Sequence, residues 1–93
     1  MITDIDIRYD LALADAKRLA SCASQLEMLA KKYENAMSEL MEYWDGPCQR
    51  SYTAVAEERI MKIRHTAEHM QSISNAITRT AQVYKMSEIA KNA

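Results

Sequence analysis

The stretch H-T-A-E-H, His65 to His69, carries the residue types of a metal site. Two histidines four apart on a helix can chelate one divalent cation, and Glu68 between them would be the base of a zinc peptidase with the H-x-x-E-H pattern. The surrounding pattern argues against this. At roughly 100° per residue, His65 and His69 fall about 120–160° from the apolar line of Ile63, Ala67 and Met70, on the side expected to meet solvent. A third ligand would have to come from elsewhere, and the 24 residues after His69 hold no His, no Asp and a single acid, Glu88. The pair therefore reads as part of a solvated helix face, with no metal and no cofactor expected.

Other chemistry is no better placed. No Ser-His-Asp or Cys-His constellation suggests itself, and a chain with one glycine has no phosphate-cradling loop. The basic residues Arg50, Arg59, Lys62, Arg64, Arg79, Lys85 and Lys91 do not gather on one face with aromatics between them. With a net charge of −1 they make no nucleic-acid footprint. Membrane insertion by an amphipathic helix is unforced. Cys22 and Cys48 are too far apart in a hairpin for an intrachain disulfide and are expected to behave as small buried apolar groups. The expectation is a chain that is not an enzyme.

The elements that carry these residues follow from the breakers of regular structure. One Gly and one Pro occur in 93 residues, side by side at Gly46 and Pro47, directly after the only Trp, Trp44, and Asp45. Two long unbroken helices joined by one sharp corner are predicted. The first residues alternate Ile and Asp and suggest an extended lead-in, with Asp10 as N-cap and a helix over about residues 10–43. Within it Leu19, Leu26, Tyr33 and Leu40 repeat every seven residues. Cys22, Leu29 and Ala36 lie beside them, and Ala23, Ala30, Met37 and Trp44 complete the stripe. Pro47 suits the first position of a second helix over about residues 47–84, where Tyr52, Val55, Ala56, Ile60, Ile63, Ala67, Met70, Ile73, Ile77, Ala81 and Tyr84 recur at helical spacing. The fold class is all-α: one helical-hairpin domain over 1–93, with a turn at 44–46 and a C-terminal segment at 84–93.

Both stripes are wider than a lone antiparallel pair can cover, which points to two hairpins forming a four-helix bundle. The expected bundle interface comprises Leu19, Leu26, Leu29, Tyr33, Met37, Leu40, Ile63, Met70 and Ile77. Residues 1–45 carry nine acids against five bases, and residues 46–93 carry four against seven, so opposite halves attract weakly. No secretory signal sequence and no membrane-spanning run is recognisable, so the chain is expected to be made in the cytoplasm.

The W-x-G turn at mid-chain between two long helices resembles the WXG family, the small early-secreted-antigen-like substrates of bacterial type VII secretion. Cys48 stands at the family's small position and Tyr52 at an aromatic one. A second element agrees: Y-K-M-S-E, Tyr84 to Glu88, is similar to that system's Y-x-x-x-[D/E] signal. The resemblance spans the whole chain and implies export by a membrane-embedded ATPase without a cleaved signal peptide, as a folded antiparallel pair. It further implies a composite signal of Trp44 and Gly46 from one hairpin with Tyr84 and Glu88 from its partner. Pro47 and Cys48 depart from the usual pattern. A homodimer satisfies it, as does a heterodimer with a related hairpin or with the helical region of an effector. The alternative function is a cytosolic helical adaptor or chaperone that pairs with a larger secreted effector.

Overall fold

A computed structural model describes residues 4–44 and 46–91 of the chain. It is an antiparallel hairpin of two helices, α1 (Asp4–Tyr43) and α2 (Pro47–Lys91), measuring 71 × 18 × 12 Å. Asp45 of the turn motif, the first three residues and the last two lie outside the described residues.

The corner has the backbone its sequence requires. Gly46 takes φ of 109°, a left-handed value that costs a side-chain-bearing residue strain but not glycine. Its carbonyl accepts from the Arg50 amide at 3.3 Å, which starts α2 with Pro47 in the first turn. On the other side the Trp44 amide closes α1 on the Leu40 carbonyl at 3.0 Å.

Both helices are longer than their sequences suggest. The Ile-Asp lead-in is helical from Asp4, and Asp10 is an exposed residue inside α1 rather than its cap. Asp4 and Asp6 place carboxylates in the first turn, where unpaired amides favour negative charge. Arg8 reaches back to Asp4 at 3.3 Å, and Lys85 of α2 holds Asp6 at 3.6 Å while lying 4.3 Å over the ring of Tyr9. One of these contacts lies within α1 and two reach across from α2, so the segment expected as an extended lead-in is a helical turn held against α2. At the far end α2 continues to Lys91, since nothing after Pro47 breaks it.

The line along which the helices touch is built from small residues. Ala16, Ala23, Ala30 and Met37 are the buried positions of α1; Ala56, Ile60, Ala67, Ser74 and Ala81 are those of α2. Both sets contain a seven-residue repeat. Ser74 Oγ, on its short stem, donates to the backbone carbonyl of Ala16 at 2.6 Å across the seam. Such a bond requires the two backbones to approach closely, which small side chains permit. The most consolidated cluster, Ala30, Met37, Ala56 and Ile60, lies towards the turn, with Tyr33 and Ile63 packed against it. Among the predicted interface residues, Met37 is thus consumed inside the hairpin.

Candidate interaction surface

The seam has two flanks, and helix geometry assigns residues to each. Positions three before or four after a seam residue lie about 40–60° to one side of it, and positions three after or four before it lie as far to the other. In an antiparallel pair the corresponding flanks of both helices fall on the same face. One face therefore carries Asp6, Glu27 and Glu34 from α1 beside Arg64 and Lys85 from α2. Ion pairs bridge the helices across it: Arg64 binds Glu34 at 2.7 Å and Glu27 at 3.9 Å, and Lys85 binds Asp6 at 3.6 Å.

The other face carries Leu19, Leu26, Tyr33 and Leu40 from α1, beside Ile63, Met70, Ile77 and Tyr84 from α2. Most of these are only half-buried, and Leu40 and Tyr84 are exposed, as is the neighbouring Leu29 at 52%. These large side chains, expected in the bundle interface, border an open apolar face, and the alanine line beside them does the intrachain packing. Phenols bridge the helices here: Tyr52 hydrogen-bonds with Tyr33, and that bond is the main reason the Tyr52 phenol titrates above its ordinary value.

The accessible surface is 7195 Å² for 10.6 kDa. A compact monomer of that mass exposes about 5,500 Å². The excess exceeds the roughly 800 Å² that each partner gives to a standard interface.

The two motifs occupy opposite ends. Trp44 packs on Tyr52 with ring centroids 5.5 Å apart, tilted by 50°, so the indole is anchored to the first turns of α2. Tyr84 lines an open cleft of about 480 Å³ with Arg8, Tyr9, Ala12, Ile73 and Ile77. Glu88 lies one helical turn further on, its side chain 25% exposed and 3.6 Å from Lys91. Between Gly46 and Tyr84 the helix rises about 57 Å.

Elsewhere, His65 and His69 are exposed, and among the described residues no three His, Cys, Asp or Glu side chains converge to hold a metal ion. Cys22 and Cys48 are both exposed free thiols, contrary to the expected burial. Cys22 precedes buried Ala23 and is rotated out of the seam, while Cys48 lies in the first turn of α2, off its buried line. No described helix is long and apolar enough to cross a membrane. Sequence reasoning missed Ser74, a polar residue in the core, although its place seven residues after Ala67 and before Ala81 marked it. It also missed Arg64, whose role appears only once the register of the helices is known.

No family profile matches this chain, and comparison with curated proteins and with solved structures returns no match.

Proposed function

We propose that this chain is a non-enzymatic substrate or export partner of a type VII secretion system, exported as a folded pair of hairpins. The signal is composite: Trp44 and Gly46 at the turn of one hairpin, with Tyr84 and Glu88 at the tail of the other. The observation that carries the reading is the distance between the motifs. They stand at opposite ends of a rod 71 Å long, so within one chain they cannot form one recognition surface. A second, antiparallel hairpin removes that obstacle, and the open apolar face gives it a place to dock. Tyr84 and Glu88, four apart on a continuous helix, lie on adjoining turns of one side and suit a receptor that reads a helix.

The test is immunodetection in the culture medium of the native host, in parallel with a strain lacking the type VII ATPase. Export from the first and none from the second is expected. Trp44→Ala and Glu88→Ala should each abolish export while the purified variants keep their helicity by circular dichroism. Retention in the cytosol of every strain would replace this reading with that of the adaptor.

A further inference from the structure

We infer that His65 and His69 form a surface chelate for a divalent transition-metal ion, copper(II) above all, on the outward side of α2. The solvent-facing position that counts against a peptidase suits a chelate, which needs no cleft. Both histidines are exposed and stand four apart within a continuous helix that runs from Pro47 to Lys91. At that spacing the two side chains share one face on successive turns, within reach of one ion. The helix supplies this geometry before the metal arrives, so little further ordering is required on binding.

The charges around the pair suit a cation. Glu68 is exposed beside His69, and His65 and Glu68 line an open groove of about 420 Å³ with Glu34, Glu57, Met61 and Arg64. Three carboxylates thus share the groove with one guanidinium, which is itself bound to Glu34 at 2.7 Å. Lys62, the base three residues before His65, is held by Glu58 at 3.2 Å.

The donor set selects the ion. Among the described residues no three His, Cys, Asp or Glu side chains could hold a metal together, so the protein offers two imidazoles and water completes the shell. Zinc sites ordinarily take three or four protein ligands, and magnesium and calcium prefer oxygen. Copper(II) binds such sites more tightly than the other first-row divalent ions and accepts a tetragonal set of nitrogen and oxygen donors, which two imidazoles and water provide. The pair is turned away from the apolar face, so metal binding leaves that face free. The inference is independent of the function proposed above.

It is tested on the full-length protein carrying Cys22→Ser and Cys48→Ser, since both thiols are exposed and thiolates compete for copper. Copper(II) chloride is titrated in with glycine as competing chelator, followed by calorimetry and electron paramagnetic resonance. One ion per chain is expected, with hyperfine coupling to two imidazole nitrogens. Nickel and zinc should bind more weakly, and copper should be released in acid as protons compete for the ring nitrogens. His65→Gln and His69→Gln should each weaken binding by about tenfold or more, because either change leaves a single anchor. His69→Gln combined with Thr66→His keeps two histidines but sets them about 100° apart on the helix, and should bind no better than His69→Gln alone. All these positions are exposed, and circular dichroism should show unchanged helicity. Copper affinity that survives the loss of either histidine, or that Thr66→His restores, would overturn the inference, as would zinc binding tighter than copper. Neither export nor pairing of hairpins enters these readouts, so failure here would leave the proposed function untouched.

Discussion

The hairpin's two faces flank the same alanine seam and are nevertheless finished to different degrees. On one, Arg64 reaches two acids of α1 and Lys85 a third, so the groove between the helices is bridged by side chains that are content in water. On the other, Leu19, Leu26, Ile63, Met70 and Ile77 border the same groove without covering it, and Leu29 and Leu40 stand out from it. A water-facing role would have favoured Lys and Glu along both flanks, as on the first. The difference separates two tasks: the small-residue seam and the ion pairs hold the hairpin together, and the apolar face is left to the pairing proposed above.

That separation is most severely tested by a charge at its centre. Leu26→Asp would place two unpaired carboxylates, one per chain, in the paired face, at a cost of several kcal/mol. Sedimentation equilibrium should show dimers replaced by monomers. On the finished face, Arg64→Ala removes partly exposed ion pairs worth about 0.2–1 kcal/mol each and should leave the association constant nearly unchanged. If Leu26→Asp associates as the parent does, the apolar face is not the contact. If Arg64→Ala dissociates as readily, the two faces do not divide the work.

How much of this could be read beforehand depends on the scale of the feature. The hairpin was legible because Gly46 and Pro47 are the chain's only strong breakers and fall together. The choice of seam was not. The Leu19–Leu26–Tyr33–Leu40 line and the Ala16–Ala23–Ala30–Met37 line repeat with the same period on adjoining parts of one stripe. Hydrophobicity favours the leucines, but contact between two bare helices favours whichever line lets the backbones come close, and the Ser74–Ala16 bond records that outcome. The first turn of α1 likewise meets Lys85, some eighty residues away, through Asp6, and a local pattern cannot contain that contact. For the candidate site, the positions of Trp44, Tyr84 and Glu88 were legible. Their separation along the rod became usable only with the helix lengths.

A milder perturbation acts on the seam itself. Ala30 is completely buried, and a larger residue there must push the helices apart. Ala30→Leu should destabilise the hairpin by about 1–3 kcal/mol in urea unfolding. It should also weaken association, because the leucine lines of both helices move when the backbones separate. Leu29→Ala, one residue away on the apolar face, should lower association with little effect on the unfolding of the hairpin once dimer concentration is accounted for. Equal effects on both quantities from both variants would mean that folding and pairing are one event, and the distinction between seam and face would lose its energetic content.

The smallest effect concerns the polar bridge on the apolar face. Tyr52 titrates above the ordinary 10.0 because of its hydrogen bond to Tyr33 first, repulsion from the Tyr33 phenolate second and partial desolvation third, with Arg59 opposing. A raised folded-state value means that folding favours the neutral phenol. The resulting stabilisation is therefore complete below about pH 10 and is lost as pH rises through the folded value. Tyr33→Phe keeps the ring but removes both the hydrogen-bonding partner and the phenolate. The Tyr52 transition, followed by tyrosinate absorbance, should then move down towards 10.0, and the loss of stability at high pH should become shallower. Because Tyr52 also carries Trp44 on its ring, the same variant asks whether this phenol helps to orient the turn. Trp44 fluorescence that stays constant through the Tyr52 transition would show that the indole is held by ring packing alone, and a change through that transition in the parent but not in Tyr33→Phe would tie the turn to the apolar face.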